Sequence, residues 1–167
     1  MSELLSLLTE FAEGRVALVE RHEASARAVS HYDFNNTYQY VINREETHLS
    51  WLQNALAEYK AVLPPAGSSA LPTPAAPKTD RNFEASAFRG ILEDDARYLG
   101  AFIEQWRPRV DRVTNARHRN MLDVILGESM EHKRFFGQAA AGFEDLLGRR
   151  TPDAKRVGGV LPTRWLE

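Results

Sequence analysis

Glu45 and His48 stand three residues apart in the middle of a segment with helical apolar spacing. Tyr38, Val41, Glu45, His48, Leu52, Ala55 and Tyr59 recur at alternating steps of three and four, which puts them on one face of a helix. Two consecutive positions of an otherwise apolar seam are therefore ionisable. A buried carboxylate and a buried imidazole are costly unless paired, hydrogen-bonded or bound to a metal. One turn apart, their oxygen and nitrogen atoms can converge on a single ion.

A later segment is interrupted in the same way. Its stripe reads Met121, Val124 or Ile125, Glu128, then Glu131 or His132, then Phe135, Ala139, Phe143 and Leu146. Two further segments offer acids at matching heights. If the first two helices form a hairpin turning near Asp33–Phe34, facing residues have numbers summing to about 66–68. Glu20 then faces His48 and Glu23 faces Glu45, with His22 equally well placed. Asp95 shares a stripe with Phe88, Ile91, Tyr98 and Phe102, beside its rivals Glu93 and Asp94. It reaches the level of Glu128 if the second hairpin turns near residues 111–112. The candidate metal ligands are thus Glu20, Glu23, Glu45, His48, Asp95, Glu128, Glu131 and His132. Carboxylates mixed with imidazoles suit iron or manganese, and zinc would tolerate them.

Four helices must position these groups. The apolar spacing predicts the first from about Glu3 to Ser30 and the second to about Val62. Asp33, Asn35 or Asn36 would cap the second helix, and Pro64-Pro65 would stop it. The third is expected from near Asp80 or Asn82 to near Pro108, and the fourth from about Val110 to Gly148. Residues 63–80, LPPAGSSALPTPAAPKTD, read as a partly extended linker. Such a linker can span ~55 Å at ~3.3 Å per residue, more than the ~40 Å length of a 27-residue helix. It can therefore cross the whole bundle and leave helices 2 and 3 parallel. The domain is expected over residues 1–150, with residues 151–167 as an irregular tail.

Composition narrows the function classes. The chain has 167 residues, 43% hydrophobic and 26% charged, which suits one globular domain. A net charge of −2 with interleaved signs gives no support for nucleic-acid binding. The absence of cysteine excludes disulfides and thiolate chemistry. No membrane span and no secretory leader are expected, so the expected location is the cytoplasm.

The segments REETHLSWL (44–52) and ILGESMEHKRFF (125–136), with the crossover linker, resemble the ferritin-like superfamily, including rubrerythrin-related bacterial ferritin-like domain proteins. The resemblance covers about residues 3–147. It implies an all-α four-helix bundle of two antiparallel hairpins joined by a long crossover between helices 2 and 3. It also implies a di-iron or di-manganese carboxylate site acting on Fe(II), oxygen or peroxide, as a ferroxidase or peroxidase type of oxidoreductase. Glu45-x-x-His48 matches the family motif. On helix 4, Glu128 is followed at the third place by Glu131 and only at the fourth by His132. Helix 3 offers an Asp in place of a Glu.

The competing reading is a metal-free helical scaffold or interaction protein, with Glu45 and His48 hydrogen-bonded to fix helix register. His31 and His118, near helix ends, are expected to be exposed. A homodimer is expected. The tail's Val160, Leu161, Trp165 and Leu166 suggest docking through residues 156–167, onto the bundle, a dimer mate or another partner.

Overall fold

The computed structural model describes residues 2–77 and 84–148; the tail from 151 and its docking segment lie outside the described residues. Those described fold into a four-helix bundle without strands. Helix α1 spans Glu3–Ala28, α2 Tyr32–Ala57, α3 Arg89–Val110 and α4 Ala116–Ala140, with a 3-10 turn at Ala85–Phe88 leading into α3.

The helix starts follow local chemistry. Ser2 caps α1 by accepting the Leu5 N–H at 3.2 Å, and Asn115 caps α4 by accepting from His118 at 3.1 Å. The cap of α2 is His31, whose Nδ1 accepts the Phe34 N–H at 3.4 Å, in place of the expected Asp33, Asn35 or Asn36. Asn35 instead clamps the α1–α2 turn, donating to the carbonyls of Ala26 and Val29. Helix α2 stops at Ala57, well short of the prolines, where Lys60 takes a left-handed φ of 58°. Pro108 lies inside α3 and does not end it. It sits on the exposed side beside exposed Glu104, where water can take the carbonyl that proline leaves unpaired. Helix α4 ends at Ala140, short of Gly148, and Phe143 is 64% exposed.

Contacts set the directions. His22 with Glu45, Arg107 with Asp123, Arg109 with Glu10 and Arg21 with Asp95 make the pairs α1/α2, α3/α4 and α1/α3 antiparallel. It follows that α2 and α3 point the same way. The segment joining them is held along α1 as far as it is described. The Gly67 N–H donates to Glu20 at 3.0 Å, and Arg21 donates to the Pro72 carbonyl.

The core is a continuous apolar cluster from all four helices, including Leu8, Phe11, Tyr38, Leu52, Leu99, Trp106, Ile125 and Phe136. Phe11 meets Phe102 and Trp106 edge-on, both at 5.0 Å between ring centres. Helix α1 lies so close to α3 there that a Cβ on Gly14 would stand 2.8 Å from the Phe102 ring. Overpacking costs about 1–3 kcal/mol, against the ~1 kcal/mol that alanine gains over glycine in a helix. Gly14→Ala is therefore expected to lower stability in urea by about 1 kcal/mol, and unchanged or increased stability would contradict the close packing. Among the described residues no helix is long and apolar enough to cross a membrane.

Candidate functional site

The seams of α1, α2 and α4 bring seven polar side chains together at mid-height. Arg15 and His22 come from α1, Arg44, Glu45 and His48 from α2, and Glu128 and Ser129 from α4. The ring of His132 on α4 completes the group, stacked 6.3 Å from that of His48. Arg15, His22, Glu45, His48 and Ser129 are each 0% exposed.

Arg15 is the hub. Its guanidinium donates to the Ser129 hydroxyl at 2.9 Å and to His48 Nδ1 at 3.2 Å, and lies 3.4 Å from Glu45. The same group sits over the Phe102 ring of α3, 5.3 Å from its centre. One side chain thereby touches the three other helices. Burial lowers the Arg15 pKa, while Glu45 and Glu128 raise it, and an arginine so placed stays a cation at neutral pH.

The acids and imidazoles around it follow. Glu45 accepts from His22 Nδ1 at 2.9 Å. Burial pushes the Glu45 carboxyl up, but His22 and Arg15 more than offset this and hold it at about 2. Glu128 accepts from Arg44 at 2.7 and 3.0 Å and from His48 Nε2 at 2.8 Å. Burial and the neighbouring Arg15 push His48 down to about 4, despite Glu128. Burial likewise pushes His132 down to about 4. His48 is therefore neutral at pH 7. With Arg15 donating to Nδ1, its proton belongs on Nε2, facing Glu128. Neither nitrogen of His48 then has a free lone pair.

The candidate ligands separate into two groups. Glu45, His48, Glu128 and His132 meet at this centre. The others do not. Glu20 is bound to the backbone of the connecting segment. Glu23 is half-buried outside the network. Glu131 is exposed and pairs with Arg134 at 3.4 Å. Asp95 is fully buried but lies seven residues from Phe102 along α3, about 10 Å at 1.5 Å per residue. There it accepts from Arg21 at 2.7 Å and from the Tyr38 hydroxyl. At the level of Arg15, α3 presents a phenylalanine. His118, expected at the surface, is buried.

Arg15 and Ser129 are not among the ligands expected from sequence, although their spacing places them on the buried stripes. Leu8, Phe11, Arg15, Leu18 and His22 step by three and four, as do Leu122, Ile125, Ser129, His132 and Phe136, and all ten are buried. The true counterpart of Glu45-x-x-His48 on α4 is thus Ser129-x-x-His132. Glu128 stands one residue off the seam, with its side chain 27% exposed.

A dinuclear carboxylate centre needs one acid from each helix. Here α1 brings Arg15 and α3 brings Phe102, α4 puts Ser129 on the seam with Glu128 one residue off it and held by Arg44, and Glu45 is the one acid on the seam itself. The permanent charges, Arg15 and Arg44 against Glu45 and Glu128, already cancel. At an effective dielectric of 20 a divalent ion ~4 Å from the Arg15 guanidinium meets a repulsion of about 8 kcal/mol, which offsets the like attraction of Glu45 and leaves no net pull on the ion. The residues do not fit two metal ions. Among the described residues, one group of three ligating side chains comes within 4.8 Å: His31, Asp33 and Glu144 at the bundle's end. It lies at the N-terminus of α2, where the helix dipole opposes a cation, and capping consumes the His31 Nδ1 lone pair.

No family model, curated protein or solved structure matches the chain.

Proposed function

We propose that this protein is a metal-independent helical module of ferritin-like architecture, acting as a scaffold or interaction protein. The observation that carries this reading is the buried Arg15 guanidinium among Glu45, His48 and Ser129. It occupies the position where redox chemistry would need a metal, and it balances the charge there. The polar centre then serves to fix the register of four helices, because the contacts of Arg15 with Ser129, His48, Glu45 and Phe102 are made together in one alignment only.

A second reading is favoured by three atoms. Glu45 Oε1, His22 Nε2 and His132 Nδ1 are buried and make no hydrogen bond among the described residues. These are atoms of ligand type, which supports a single iron or manganese ion at Glu45, His22 and His132, although the three do not come within 4.8 Å of one another as they stand and Oε1 faces Arg15 at 3.4 Å, so the side chains would have to close on the ion. The ion would supply redox or Lewis-acid chemistry. Glu45 and the two imidazoles would hold it, and the apolar shell would exclude water.

Elemental analysis of chain purified without chelator separates the two. The first reading expects well under ~0.1 metal ion per chain and a melting temperature unmoved by Fe(II), Mn(II) or EDTA. About one ion per chain, lost in Glu45→Ala and His132→Ala, would establish the second reading instead.

A further inference from the structure

We infer that Arg15 is the built-in cation of this bundle, doing among these side chains the cross-linking and charge-neutralising work of a metal ion, and that Arg15 and Ser129 together keep a metal out. The inference rests on the metal-free reading and names the residues that enforce it.

Three observations lead there. The guanidinium reaches α2, α3 and α4 from α1, which is how a central ion ties a bundle together. Its N–H on His48 Nδ1 forces the imidazole proton onto Nε2, so His48 cannot coordinate while Arg15 is present. Ser129 completes the arrangement. Its short side chain donates to the Ile125 carbonyl at 2.7 Å and accepts from Arg15, leaving room for the guanidinium where a longer acid would project.

Removing the cation and supplying acids should therefore uncover a metal site. In Arg15→Glu/Ser129→Glu, helices α2 and α4 would both present an acid and a histidine at i and i+3, facing each other across the seam, with a further acid from α1. His48 Nδ1 would be released.

Cobalt(II) titration of the full chain tests this, because its visible absorption reports carboxylate and imidazole coordination. The natural chain is expected to give no cobalt band. The double variant is expected to bind about one ion or more and to gain roughly 5–10 °C in Tm at saturating cobalt. Adding His132→Ala to the double variant should abolish both changes. Uptake of an equivalent of cobalt by the natural chain would overturn the metal-free reading and this inference with it. A natural chain that excludes cobalt, beside a double variant that is helical by circular dichroism and equally blind to cobalt, would overturn the inference alone. Should the two added acids prevent folding, Arg15→Gln/Ser129→Glu removes the cation with one acid fewer. If that variant takes up no cobalt, the inference fails.

Discussion

Replacing Arg15 by methionine is expected to destabilise the protein by about 3–5 kcal/mol, the usual cost of breaking a buried ion pair by removing one partner. Methionine keeps much of the length and apolar stem of arginine, so the loss reports charge and hydrogen bonds more than a cavity. His48 Nδ1 and Ser129 lose a donor, and Glu45 loses its counter-charge. For a chain of this size the Tm should fall by roughly 10 °C or more. The cost should also be non-additive. Once Arg15 is gone, the buried Glu45 carboxylate is the liability, so adding Glu45→Gln should recover part of the loss, with a coupling of about 1–3 kcal/mol. Urea unfolding of the single and double variants measures this. A loss below ~1 kcal/mol in Arg15→Met would show that the guanidinium does not hold the bundle together.

The second large effect is a loss of stability in mild acid. His48 and His132 are held down at about 4, against an ordinary value of 6.5. Between those values the unfolded chain binds more protons than the folded one, so stability falls as pH drops through this window and the loss levels off below about 4. Each histidine contributes up to about 3 kcal/mol over its whole window. Burial lowers His118 in the same direction. Glu45 acts further down. Its folded value of about 2 lies below the ordinary 4.5, so its stabilisation is complete above 4.5 and lost as pH falls towards 2. The interval from pH 6.5 to 5 is therefore governed by histidines and not by carboxylates. Unfolding free energies at pH 7, 6 and 5 should fall steadily, and His132→Leu should flatten the slope. Stability unchanged from pH 7 to 5 would mean that these imidazoles are not buried as neutral groups.

The paired seam of α2 was legible from sequence because every residue from Tyr38 to Ala55 on the stripe obeys the helical period. Burial of Glu45 and His48 follows from their neighbours. The inward face of helix α4 is ambiguous in sequence for a specific reason. Glu128, Ser129, Glu131 and His132 are adjacent enough that a shift of one residue changes which pair faces inward, and a search for acids favours Glu128. The hydrophobic flanks Leu122, Ile125 and Phe136 settle the face on Ser129. A lone arginine on an amphipathic helix ordinarily lies along its flank with its charge in water, so a place on the stripe does not by itself mark Arg15 as buried.

The helix count, the all-α class and the interrupted seam of α2 were determined by sequence alone, since periodicity and capping act within a few residues. Which groups the acids and imidazoles meet at the centre was decided only by tertiary structure. Arg15 and Glu45 lie thirty residues apart in the chain, and Arg15 and Ser129 lie 114 apart. Whether the cation at a buried carboxylate is a metal or a guanidinium depends on which side chains packing brings into reach, and helix periodicity carries no information about that distance.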